Sequence, residues 1–106
     1  MHRARKHARI GGMMRARSML ESAALEYEKA LAASPGDPFV TGKLARTYLE
    51  LGEYDEAVAL ARPLALLDEH DPVPAVTLGV ALGASGDAAG ARDAFEQALR
   101  ISPFDP

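Results

Sequence analysis

The chain has 106 residues, one domain's worth, with 48% apolar and 25% charged side chains, an ordinary balance for a globular protein. It contains neither cysteine nor tryptophan, which excludes disulfides and thiolate metal sites, and no apolar run approaches the length that crosses a bilayer. The net charge of -3 is unevenly spread: residues 1–17 carry Arg3, Arg5, Lys6, Arg9, Arg15 and Arg17 without one acid, leaving -9 on the rest.

Residues 1–3 read as a short basic arm. No apolar stretch follows it, so a cleavable secretion signal is not indicated and the cytosol is the expected compartment. A first helix is expected over residues 5–17 and a second over 20–33. Gly11 and Gly12 weaken the first, at roughly 1 kcal/mol per glycine relative to alanine.

Asp37-Pro38 opens a third helix over 38–51. An Asp carboxylate accepts a bond from an orphan backbone N–H, and Pro at the first helical position has no N–H to lose. Gly52 follows, where helices end in a left-handed conformation that glycine takes without strain. The fourth helix is expected over 54–67, with Asp55 and Glu56 favourably placed against the dipole of its first turn. Pro63 lies inside it and removes a backbone bond to Ala59, at about 3 kcal/mol, which predicts a kink near 59–63 or a helix broken in two. Asp71-Pro72 repeats the start signal for a fifth helix over 72–85, Gly86 repeats the stop, and a sixth helix runs over 88–101. No strand pattern appears. The fold class is all-α, and gaps this short force neighbouring helices to pack antiparallel.

The Asp-Pro dipeptides Asp37-Pro38, Asp71-Pro72 and Asp105-Pro106 are 34 residues apart, and columns of residues agree at that period. Ile10, Leu44 and Leu78 align, as do Gly11, Ala45 and Gly79, then Met14, Tyr48 and Leu82. Further along come Ala23, Ala57 and Ala91, then Tyr27, Ala61 and Phe95, then Ala30, Leu64 and Ala98. Ser18 occupies the column of Gly52 and Gly86. These residues resemble three tetratricopeptide repeats, at about 4–37, 38–71 and 72–105. The third copy is the most complete, with Leu78-Gly79, Leu82, Gly86-Asp87, Ala91, Phe95, Ala98 and Pro103. In the second, Ala61 and Leu64 invert the usual order of large and small, a swap of volume between neighbouring core sites.

The resemblance implies a right-handed α-solenoid of three antiparallel helix-turn-helix pairs. The first helix of each pair would line a concave groove that receives an extended peptide or a helix of another protein. Transferred onto this chain, the groove takes Arg5, Ala8, Arg9, Gly12 and Arg15 from the first copy, Phe39, Lys43, Arg46 and Leu49 from the second, and Val73, Val76, Thr77 and Val80 from the third. Such a surface suits a partner with acidic and aliphatic residues in sequence. The two-carboxylate clamp by which some members hold chaperone C-termini is not expected, because among Ala8, Gly12, Lys43, Val73 and Thr77 only Lys43 is a cation.

The expected function is thus a non-catalytic scaffold or adaptor, without cofactor or small-molecule substrate. No phosphate-binding Gly-Lys-Ser/Thr loop occurs, and Gly83-Ala84-Ser85-Gly86 is a turn rather than a nucleophile elbow. The cluster Asp68-Glu69-His70-Asp71 is an acidic helix end and N-cap in preference to a metal site. One alternative is a self-assembly module. Arrays normally finish on a polar cap, yet the last helix has Phe95, Leu99 and Ile101, with Phe104 after it, so this flank is expected to meet more of a longer array or another subunit. A further alternative, nucleic-acid contact by the basic head, carries less.

Overall fold

The computed structural model describes the backbone of residues 2–103 and the side chains of residues 15–103. It holds five helices: α1 (His2–Ala33), α2 (Pro38–Glu50), α3 (Tyr54–Leu67), α4 (Val73–Ala84) and α5 (Ala88–Ile101), with no strand among the described residues. They stack in series, each on the next, and α2 also reaches α4. Among the described residues α1 and α5 do not touch, so the stack stays open. Its radius of gyration of 16.2 Å exceeds the roughly 13 Å of a compact chain this long.

The stops and starts follow from particular residues. Asp37 Oδ1 accepts from the N–H groups of Phe39 (3.0 Å) and Val40 (3.4 Å), and Pro38 begins α2. Asp71 Oδ1 accepts from Val73 N at 3.0 Å, and Asp87 Oδ1 from Gly90 N at 2.8 Å. Gly52 and Gly86 have φ of 78° and 99°. Behind them Glu53 N reaches back to Tyr48 O (2.9 Å) and Asp87 N to Leu82 O (2.8 Å), bonds that close each helix end and turn the chain. Asp105-Pro106 lies outside the described residues.

One expectation is overturned, and of the two outcomes expected at Pro63 the broken helix does not occur. Separate helices over 5–17 and 20–33 do not form; α1 is one helix from His2 to Ala33. The cause lies in the column that breaks the other pairs, where Ser18 replaces the glycines of positive φ and the helix continues through it. The chain therefore has two helix pairs, α2/α3 and α4/α5, preceded by one long rod. Pro63 also fails to break its helix, since α3 runs unbroken from Tyr54 to Leu67. Pro63 and Ala59 are both exposed, so the Ala59 carbonyl that loses its N–H partner can be hydrated instead.

The core is built mostly of alanine, which lets helices come close. Ala57, Ala61, Ala75 and Ala81 are wholly buried, with Leu78 and Leu82 filling the space between α3, α4 and α5. A second cluster joins α1 to α2 through Ala24, Leu44 and Leu51, flanked by Leu20, Tyr27, Leu31 and Tyr48. Polar side chains tie the layers further: Arg17 Nη1 donates to Leu51 O at 3.3 Å, and Gln97 Nε2 to Ala65 O at 3.0 Å.

Candidate protein-binding groove

Because α2 touches α4, the outward faces of these two helices form one surface. Phe39, Lys43 and Arg46 recur on α2 at steps of four and three, and Val73, Val76 and Val80 on α4 at steps of three and four, so each set holds one helical face. These apolar side chains stand in water: Phe39 is 71% and Val73 57% exposed, and Val76 and Val80 are also exposed.

A cleft of about 240 Å³ opens where α2, the end of α3 and the start of α4 converge. Phe39, Lys43, Arg46, Val73 and Thr77 line it, so the structure brings together five of the residues placed in the groove from sequence. Val76 and Val80 continue the α4 face beyond the cleft, and Leu49 is half-buried. The side chains of Arg5 and Arg9 lie outside the described residues.

Five further residues shape the cleft. Leu67, 66% exposed, and Leu64 supply an apolar wall, with Gly42 beneath them. A Cβ on Gly42 would lie 3.9 Å from Leu64 Cδ1, an ordinary contact, so Leu64 stands over α2 at the glycine without filling the place of a side chain. Asp68 and Asp71 complete the rim, and Asp68 Oδ1 accepts from His70 N at 2.9 Å. Both carboxylates thus hold the loop between α3 and α4 in shape while facing the cleft.

The surface carries charge of both signs. The Lys43 ammonium lies 5.4 Å from the centre of the Phe39 ring, a cation–π contact. Arg46 Nε is 3.6 Å from Glu50 Oε1, but both side chains are largely exposed, so water leaves the guanidinium free to exchange partners. Lys43 and Arg46 mark one side and Asp68 and Asp71 the other.

At the far end, Leu99 is 54% exposed, while Phe95, at 38%, packs its ring on Gly79 and Ile101 is half-buried. Phe104 lies outside the described residues. Among the described residues no three His, Asp or Glu side chains gather as metal ligands, and no helix is long and apolar enough to cross a membrane.

A tetratricopeptide-repeat family model matches residues 14–76, more than half of the chain, and a second model of the same description matches residues 72–97. The chain belongs to the tetratricopeptide repeat family. Repeats of this family are protein–protein interaction modules. The first match covers α2 and α3 whole and the start of α4, and it takes in the first copy only from residue 14 on, whose two helices are fused here into α1. Among the cleft residues that sequence reasoning did not place in the groove are Gly42, Leu64, Leu67, Asp68 and Asp71. For Leu67 the signal was Leu66-Leu67, large apolar residues in columns that hold Ala32-Ala33 in the first copy.

Proposed function

We propose that this repeat protein is a non-catalytic adaptor that holds a segment of another protein across α2 and α4. The observation that carries the reading is the joining of Phe39, Leu67 and Val73, all well exposed, around one cleft with cations on one side and carboxylates on the other. Exposed apolar side chains that rim a concavity gain by being covered, roughly 25 cal/mol for each Å² removed from water. The favoured segment has an aliphatic residue for the cleft and an acidic residue directed to Lys43 and Arg46. Asp68 and Asp71 disfavour acid at the opposite end.

A displayed library of random peptides, selected on the intact protein, tests this. Selected sequences are expected to share an aliphatic position flanked by an acid. Their affinity is expected to fall at least tenfold in Gly42→Leu, whose side chain fills the cleft from α2. Leucine is also a better helix former than glycine, so the fold should survive. Peptides that bind Gly42→Leu as tightly as wild type would place recognition elsewhere.

A further inference from the structure

We propose that the segment held in this groove is an amphipathic helix laid antiparallel to α2 and α4. It carries an acidic residue toward its N-terminus, an aliphatic residue in the middle and a basic residue toward its C-terminus. This rests on the adaptor reading and adds the conformation, direction and charge order of the partner. Successive helices joined by short turns run antiparallel, so α2 and α4 point the same way. Pro38 and Phe39 open α2, Val73 and Pro74 open α4, and all four line the cleft, so both helices begin at the same end of it. Asp71 belongs to that end, since the chain runs from it through Pro72 into α4, and Asp68 closes α3 beside it. Lys43 and Arg46 stand four and seven residues beyond Phe39, about 6 and 10 Å further along the axis of α2. Charge therefore changes sign along the groove, in the direction of its helices.

The apolar surface is also drawn out lengthwise. Val73, Val76 and Val80 extend along α4 for two turns, all exposed, and Phe39 stands exposed at the start of α2. Two parallel helices with a cleft between them accept a third along their length, which is how an amphipathic helix lies in a groove. Residues at steps of four and three share one face of such a helix and lie about 6 and 10 Å apart along it. That is the spacing of Lys43 and Arg46 from Phe39, so one helical face can place an acid at the cations and a base at the carboxylates. A segment lying crosswise would meet charge of one sign only.

Electrostatics fix the direction. Asp68 Oδ1 is held by His70 N at 2.9 Å and Asp71 Oδ1 by Val73 N at 3.0 Å, which leaves each carboxylate a second oxygen. Among the described residues neither carboxylate forms an ion pair, and Lys43 has no carboxylate partner either. Arg46 shares Glu50 only in an exposed pair that water weakens. The partner's base is thus drawn to the start of α2 and α4, and its acid to Lys43 and Arg46. A helix best carries acid in its first turn and base in its last, because of its own dipole. With that order its N-terminus lies at the Arg46 end, and its dipole opposes those of α2 and α4, the arrangement that neighbouring dipoles favour. The opposite order goes against both preferences.

A library displayed on a single helix and randomised along one face, selected on the intact protein, tests this. Selected clones are expected to hold acid, aliphatic and base in that order from the N-terminus, at steps of four and three. The tightest clone is expected to bind at least tenfold more strongly than the same helix with its acid and base exchanged. Asp68→Asn/Asp71→Asn supplies the second measurement. Asparagine oxygens accept the same backbone N–H groups, so the loop keeps its shape while both charges go. In this variant the tenfold preference is expected to vanish, and a repeated selection is expected to keep the acid and the aliphatic residue but not the base. Equal affinity for the two charge orders, the base toward the N-terminus, or a preference that survives in the asparagine variant would overturn the proposal. If such clones keep acid and aliphatic and are weakened by Gly42→Leu, the adaptor reading stands without it. Clones indifferent to Gly42→Leu would sink both.

Discussion

A side-chain carbon on Gly79 would stand 2.6 Å from Cε1 of Phe95, so the bare glycine of α4 and the ring of α5 form one fitted pair. The columns repeat the fit: glycine faces an aromatic in the third copy, while alanine faces alanine (Ala45 and Ala61) in the second. Gly79→Ala is therefore expected to destabilise by about 1–3 kcal/mol, because Phe95 must leave its place on a closely packed helix. Alanine's better helix propensity offsets only about 1 kcal/mol of that. In Gly79→Ala/Phe95→Ala the loss is expected to be smaller than the sum of the single losses, measured by urea unfolding.

The turns between paired helices rest on two glycines. Gly52 and Gly86 hold φ of 78° and 99°, where a Cβ crowds the following carbonyl oxygen. Gly52→Ala and Gly86→Ala are each expected to cost about 1–2 kcal/mol, seen as a lower urea midpoint with unchanged slope. A loss of helical content in either variant at room temperature would mean that the turn also directs folding.

Those same glycines explain how far the fold was legible in the sequence. Helix stops at 52 and 86 are dictated locally, by a conformation that side chains resist, and both were readable from residue type. The missing stop at 18 was readable too, since Ser18 stands in the glycine column, but the strength of the 34-residue repeat argued for a third pair. Periodicity reports a packing preference, and the backbone at one residue decides whether the chain can meet it. The groove divided in the same way. Helical spacing sufficed for Phe39, Lys43 and Val73, whereas Leu67, Asp68 and Asp71 come from a helix end and loop that tertiary packing brings across.

The contact between α1 and α2 gives the protein an alkaline limit. Tyr48 Oη donates to Glu28 Oε1 at 2.6 Å. Burial, followed by that bond and the negative charge of Glu28, pushes the Tyr48 hydroxyl up from 10.0 to about 12. A pKa raised by folding means that the neutral phenol is the form the fold favours. The resulting stability is fully present below pH 10.0 and is lost as the pH rises toward 12. Phenolate absorbance should show one tyrosine titrating late, with stability falling over the same range. Glu28→Gln keeps an acceptor without the charge, and is expected to bring that titration down toward 10.0.

Pro63 offers a gain rather than a loss. It stands in the last two turns of α3, where a proline lacks the N–H that Ala59 O would otherwise accept. Both residues face solvent, so the Ala59 carbonyl is open to water and the helix persists, but the backbone hydrogen bond is still absent. Two residues on, Ala65 is buried and its carbonyl accepts from Gln97 of α5, which fixes the helix end in place. With that anchor intact, Pro63→Ala restores the bond without moving α3 and is expected to stabilise by about 1–3 kcal/mol. Thermal unfolding should rise by several degrees, at about 4 °C or more per kcal/mol in a domain of this size. The cleft lined by Leu64 and Leu67 lies on this same segment. Peptide affinity unchanged in Pro63→Ala would show that the proline does not shape the cleft, and a drop would show that the groove needs the helix as proline leaves it.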